Sequence, residues 1–241
     1  MGIFILEIGI VIFVYMKTSP ESDLSSLEYS KKQKQWDNEI NRLEKMVDLL
    51  GLPIDTNIRE AVAAFNINGF PTYMSCEGHV EERFGSMIKI SPYVGFGTPE
   101  PDIRFEGQEE IKRKIGEKYG VKPETVGLHI ETGNKEADRE YWDYIQNELI
   151  PETSEFTKVR DTNEKLAREM QILLDEFYST RKTFKKLKID VIGPASHASV
   201  SCDLDVASMS ESELDKYTRE LKEEQHEMNE FAKFLKDKFF R

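Results

Sequence analysis

The sequence predicts an α+β fold: a small mixed sheet of about five strands covered by helices, with an inserted helical hairpin. Three observations carry this. Apolar residues recur at three- and four-residue steps near both ends of the chain, from Trp36 to Leu50 and from Leu214 to Phe239. Short runs have the character of strands: Thr72–Cys76 reads as a buried strand, and Ala198–Val206 alternates with a period of two. The charged stretch 135–186 repeats its apolar residues only at helical spacing. The predicted organisation is a hydrophobic segment (1–16), a linker (17–30) and a single domain (31–241) with the hairpin at 135–186.

Composition sets the outer limits. A chain of 241 residues suits one sizeable domain, and 39% hydrophobic content with 14 Phe and 9 Tyr supports a packed core. A net charge of −12 argues against a broad nucleic-acid-binding face, since phosphate binding is driven by Lys and Arg. Two cysteines, Cys76 and Cys202, are too few for a disulfide framework and suit a reducing, cytoplasmic setting.

The elements follow in order. Ile3–Met16 is apolar apart from Glu7 and two glycines, and as a helix would span about 21 Å, short of a bilayer core. It reads as a short membrane anchor with Lys17 on the cytoplasmic side, or as the product of a misplaced start upstream of Met16. Thr18–Ser30 reads as a polar linker. Trp36, Ile40, Leu43, Val47 and Leu50 form one helical stripe, ended by Gly51 and Pro53. Asp55 or Thr56 caps the next helix, which carries Ile58, Val62 and Phe65 and ends at Gly69. Strand Thr72–Cys76 follows, and Met87–Phe96 reads as a second strand that Pro92 and Gly95 push to an edge or a bulge. Ile111, Ile115 and Tyr119 mark a short helix stopped by Gly120, and Thr125–Glu131 reads as a strand with Val126, Leu128 and Ile130 on one face. Tyr141, Ile145 and Leu149 mark the first hairpin helix. An Asp161…Glu164 capping box opens the second, which carries Leu166, Met170, Leu173 and Phe177. Lys188–Ile192 and Ala198–Val206 pair as a β-hairpin. Ser210…Glu213 caps a final helix with near-heptad apolar spacing around Glu224 and Gln225.

Reactive groups concentrate at Ser75-Cys76-Glu77-Gly78-His79, at the end of a predicted strand. Gly78 permits a tight turn or a positive φ that swings His79 back toward Cys76. Glu77 and His79 are the candidate acid–base pair, and Ser75, Cys76 and Tyr93 the candidate substrate contacts. Cys-x-x-His is also half of a zinc site; His129 and Glu131, two apart on a predicted strand, are the candidates to complete a Zn²⁺ set with Cys76 and His79. Cys76 as a nucleophile paired with His79 ranks behind these, because the chain shows no oxyanion-hole signature. The alternative is that Cys76 is a buried small hydrophobe, Glu77 and His79 are exposed loop residues, and His129 is a hydrogen-bonded core histidine. The basic run Arg181–Lys188 complements a helix end, or holds a phosphate or an anionic membrane surface.

Gly51-Leu52-Pro53-Ile54-Asp55, the Ser-Cys-Glu-Gly-His core, Leu173–Tyr178 and the closing Phe-Leu-Lys-x-Lys-Phe-Phe resemble an uncharacterised family of bacterial proteins. The likeness runs from about residue 40 to the C-terminus; it omits the hydrophobic start, which favours the misplaced-start reading, and it implies no activity. The strand followed by Ser-Cys-x-Gly-basic is also similar to the wybutosine-synthesis methyltransferase family, over that segment alone and with His79 where that family has Arg. That resemblance implies an RNA-modification enzyme. The residues themselves point to an enzyme, cytoplasmic or anchored through residues 3–16, with its pocket at the Cys76–His79 turn, acting on a small molecule or protein. The alternative is a non-catalytic protein whose terminal helices bind a partner or a second copy of the chain as a homo-oligomer.

Overall fold

The structure, a computed structural model, describes residues 20–47, 51–83, 86–128, 134–183, 186–192, 195–199 and 211–241. The fold is α+β. In chain order it comprises α1 (Pro20–Glu44), α2 (Arg59–Ile67), β1 (Thr72–Cys76), β2 (His79–Arg83), β3 (Ser86–Ile90), β4 (Tyr93–Phe96), α3 (Gln108–Tyr119), a 3₁₀ turn (Pro123–Thr125), α4 (Lys135–Asn147), α5 (Ser154–Ser179), β5 (Lys188–Ile192), β6 (Ala195–Ser199) and α6 (Glu211–Phe240). The strands divide into a four-stranded sheet, β1-β4-β6-β5, and a separate β2–β3 ribbon. Among the described residues every pairing is antiparallel, where a mixed sheet was expected.

Helix α1 starts earlier than its composition suggests. Residues 20–30, expected as a linker, are its first turns. Their polar residues support an exposed helix through pairs such as Glu28–Lys32 at 3.6 Å, and Tyr29 meets Phe240 at 5.3 Å between ring centroids. The apolar stripe is buried at Trp36 and Leu43, whereas Val47 lies beyond the helix and is exposed. Leu50 and the hydrophobic segment 1–16 fall outside the described residues. Among the described residues no helix is long and apolar enough to cross a membrane.

Helix α2 is the centre of the core. Ala61, Val62, Ala63, Ala64 and Phe65 are all buried, as expected of a helix packed on every side, here by α1, α6, β1 and β4. The expected side-chain cap is not used. The Asp55 carboxylate accepts instead from the Glu77 backbone N–H at 3.3 Å, and Ile58 occupies the capping position. Gly69, at φ 87°, turns the chain, and Asn66 Oδ1 accepts from Thr72 N at 2.9 Å to launch β1.

The run 87–96 is two strands in two different sheets. Pro92 has no N–H to give a ladder, and the chain changes sheet at Ser91-Pro92. Strand β4 is therefore an interior strand, paired on both sides with β1 and β6, and not an edge. The expected strand at 125–131 begins as the 3₁₀ turn. Gly127 takes φ 81°, and Leu128 is exposed while Val126 is buried, so the two do not share a face. Residues 129–131 fall outside the described set.

The two helices of 135–186 belong to different parts of the core. Helix α4, capped by Asn134, packs on α3; helix α5 packs on β5, β6 and α6. The cap of α5 is Thr153, whose hydroxyl accepts from Phe156 N at 3.2 Å, and Asp161 and Glu164 are mid-helix. The β5–β6 hairpin is present with β6 beginning at Ala195; residues 200–210, with Cys202 and the Ser210 cap, fall outside the described set.

Among the described residues, buried side chains form two clusters. The larger joins α1, α2, the main sheet, α5 and α6 around Phe65, Phe96, Met170, Phe177, Phe231 and Leu235. The smaller joins Phe105, Ile115, Val126, Ala137, Tyr141 and Ile145. Glu224 of α6 is buried and pairs with the buried Lys89 of β3 at 2.8 Å, which ties the β2–β3 ribbon to α6. Lys89 Nζ also lies 3.9 Å from Glu220 Oε2, so β3 is held to α6 by two carboxylates of that helix.

Candidate functional site

The turn from β1 to β2 is Cys76-Glu77-Gly78-His79. Gly78 sits at φ 82°, and a Cβ there would lie 2.7 Å from Pro92 N and 2.8 Å from Leu221 Cδ1. Only glycine satisfies both the backbone angle and the space. Gln225 of α6 clasps the turn from outside, its Nε2 donating to Glu77 O at 3.0 Å and Gly78 O at 3.2 Å.

This geometry does bring His79 back to Cys76. The thiol sulfur lies 3.5 Å from His79 Nδ1 and receives the Gly78 N–H at 3.3 Å. On the opposite side of the ring, His79 Nε2 is 3.3 Å from Glu81 Oε2. The result is a thiol, an imidazole and a carboxylate in series, within six residues of chain. Cys76 is 9% exposed, while the His79 and Glu81 side chains are 42% and 32% exposed, so the relay opens from the protein interior to solvent.

Burial pushes the Cys76 thiol above its ordinary range. The Gly78 N–H opposes this, and the charges of Asp55, Glu77 and Glu81 push in the same direction as burial. The thiol is therefore protonated at neutral pH and needs a base to act. Tyr93 lies opposite Cys76 in the β1–β4 ladder and is half-buried. Its phenol is also pushed up, first by burial and then by Cys76 and Asp55. Ser75 is half-buried opposite Val94.

Glu77 is directed away from this series. Its Oε2 accepts from Asn57 N at 3.2 Å, and it lines a groove against α6 with Asn57, Pro92, Lys222, Gln225 and His226, of which His79 is not a lining residue. The predicted acid–base partners are thus neighbours in sequence that serve two sides of one turn.

As for a metal, His129 and Glu131 lie outside the described residues. Among the described residues no group of three or more His, Cys, Asp or Glu is arranged to hold an ion. Cys76 and Glu81 approach opposite ring nitrogens of His79, so those three cannot share one ion. Comparison with family models, curated proteins and solved structures finds no match. The site must be interpreted from its own chemistry.

Two contributors to the site carry no clear signal in the sequence. Glu81 stands two residues after His79, and side chains at that spacing share a strand face, but the charged run His79–Arg83 was not read as a strand. Asp55 stands in the sequence where a helix cap is expected, whereas it holds the thiol turn.

Proposed function

We propose that this chain is an enzyme that transfers a group through the Cys76 thiol, with His79 as general acid–base and Glu81 as the residue that orients the imidazole. The observation that carries this reading is the series Cys76 Sγ–His79 Nδ1–Glu81, at 3.5 and 3.3 Å. It has the order that nucleophilic catalysis requires: nucleophile, base, then a group fixing the base. A protonated thiol beside an imidazole favours proton transfer at the moment of attack. For an acyl substrate, sulfur bonds to the carbonyl carbon as the thiol proton passes to His79. The bond to the leaving group then breaks and His79 returns that proton to it; water later cleaves the thioester and restores the thiol.

The apolar stripes of α1 and α6 face the core, which weakens the alternative of a protein that binds through them. The test uses p-nitrophenyl acetate as the acyl donor. The expected outcome is a stoichiometric burst of p-nitrophenol, with the acetyl group mapped by mass spectrometry to Cys76. Cys76→Ala abolishes the burst, and His79→Gln slows acylation by about 100-fold or more. Glu81→Gln separates chemistry from simple reactivity. Loss of one repelling charge lowers the thiol pKa, so iodoacetamide alkylation above neutral pH speeds up while acylation at neutral pH slows. Acetylation elsewhere, or an unchanged burst in His79→Gln, overturns the reading.

A further inference from the structure

The groove on the other side of the turn has a chemistry that the thiol relay does not use. It measures about 350 Å³, and its lining residues include Asn57, Glu77, Lys222, Gln225, His226 and Asn229. That volume is at the small end of the range for small-molecule sites. Both signs of charge are present. Glu77 from the turn carries the negative charge and Lys222 of α6 the positive one, with the His226 imidazole, itself near Glu230, one helical turn from Lys222 on the same face as a further donor. Among the described residues no ion pair joins Glu77 to Lys222 or His226, and Lys222 pairs with no other carboxylate. Among the described residues the one hydrogen bond to the Glu77 carboxylate is the Asn57 N–H at 3.2 Å, which occupies one of its oxygens. Asn57, Gln225 and Asn229 are the amide residues of the lining, and the Gln225 Nε2 is already engaged with Glu77 O and Gly78 O.

A ligand carrying one charge would cover this groove and leave the opposite protein charge desolvated without a partner, which costs free energy. A ligand carrying both charges satisfies each end. We infer that the groove between the Cys76–His79 turn and α6 is a binding site for a small zwitterion of the size of a free α-amino acid, its ammonium on Glu77 and its carboxylate on Lys222 and His226. The two signs stand on separate elements, so recognition reads the distance between the ligand's charges as well as their presence. Gln225 already holds the turn against α6 through Glu77 O and Gly78 O, which keeps the two halves of the groove in register before a ligand arrives.

The experiment screens the full-length protein against the free L-amino acids by ligand-observed NMR, with n-butylamine and butyrate as single-charge controls. At least one amino acid binds, and both controls bind at least tenfold more weakly. Glu77→Gln and Lys222→Met each weaken binding tenfold or more, while Cys76→Ser leaves it unchanged. Failure of the thiol chemistry is therefore separable from failure of this site. No binding by any amino acid, equal binding of butyrate or n-butylamine, or unchanged affinity in both groove variants overturns the inference.

Discussion

The two buried clusters are held together by different means. The larger is closed by rings: Phe231, fully buried, meets Phe177 at 5.2 Å, Phe234 at 5.9 Å and Phe65 at 6.0 Å between centroids. The smaller has fewer apolar residues; besides the contacts of Trp142 with Tyr141 at 5.1 Å and Phe105 at 6.2 Å between centroids, it is tied by buried polar side chains. Gln108 Oε1 accepts from Arg104 N at 3.0 Å and Phe105 N at 3.2 Å, and Asp138 accepts from Gly127 N at 2.6 Å. The candidate site sits on the first kind of support. Its turn rests on Pro92 and Leu221, and its clasp, Gln225, comes from the helix that supplies Phe231. An apolar core of interlocked rings resists small displacements, which suits a relay whose distances must be kept. The smaller cluster carries none of the candidate residues in the described part of the chain.

The largest expected effect tests that difference directly. Phe231→Ala removes a ring that three aromatic neighbours contact, and should cost about 3–5 kcal/mol. For a domain of ordinary stability that is a large fraction of the total. Thermal unfolding should show a much lower Tm, together with loss of whatever activity the Cys76–His79 turn supports. A Tm equal to that of the unsubstituted protein would mean that α6 is peripheral, and the contrast between the clusters would fail.

A smaller effect is expected in the second cluster. Asp138→Ala leaves the Gly127 N–H without its acceptor and should cost about 1–3 kcal/mol. Because that bond ties only the chain around α3 and α4, hydrogen exchange should quicken there while α2 and α6 keep their protection. Equal acceleration in α2 would show that the clusters unfold as one unit and that their different construction has no energetic consequence.

How much of this could be read beforehand depends on what each residue's neighbours are. The strand Thr72–Cys76, the turn at Gly78 and the return of His79 to Cys76 were legible, because a strand end, a glycine and a three-residue separation are local facts. The long amphipathic α6 was legible for the same reason. Asp55 was not: it satisfies a donor on Glu77, far along the chain, in place of the local cap that its position suggested. Met87–Phe96 reads as one strand in the sequence, because apolar character alone does not show that Pro92 divides two sheets. Glu224 is a polar gap in an apolar stripe of the sequence, and its meaning comes only with Lys89, which reaches it from β3. Charged residues were the least legible class, since their roles are set by distant partners.

The smallest expected effect belongs to Glu77, and it sharpens the contrast most. Its carboxylate holds one backbone donor, Asn57 N, and sits in an open groove rather than in a core. Glutamine keeps an oxygen able to accept that bond, so Glu77→Gln should change stability by no more than about 0.5 kcal/mol, the usual range for positions away from packed or paired groups. What changes is charge. The variant removes one of the three carboxylates that push the Cys76 thiol up, so that thiol should titrate lower than in the unsubstituted protein. The sign follows from repulsion: a neighbouring anion disfavours thiolate, and its loss favours it. Following iodoacetamide alkylation of Cys76 against pH should therefore give a profile displaced to lower pH, alongside an unchanged Tm. An unchanged profile would mean that Glu77 is electrostatically separate from the thiol, and a Tm lowered as far as that of Phe231→Ala would make Glu77 a structural residue rather than a group free to meet a ligand.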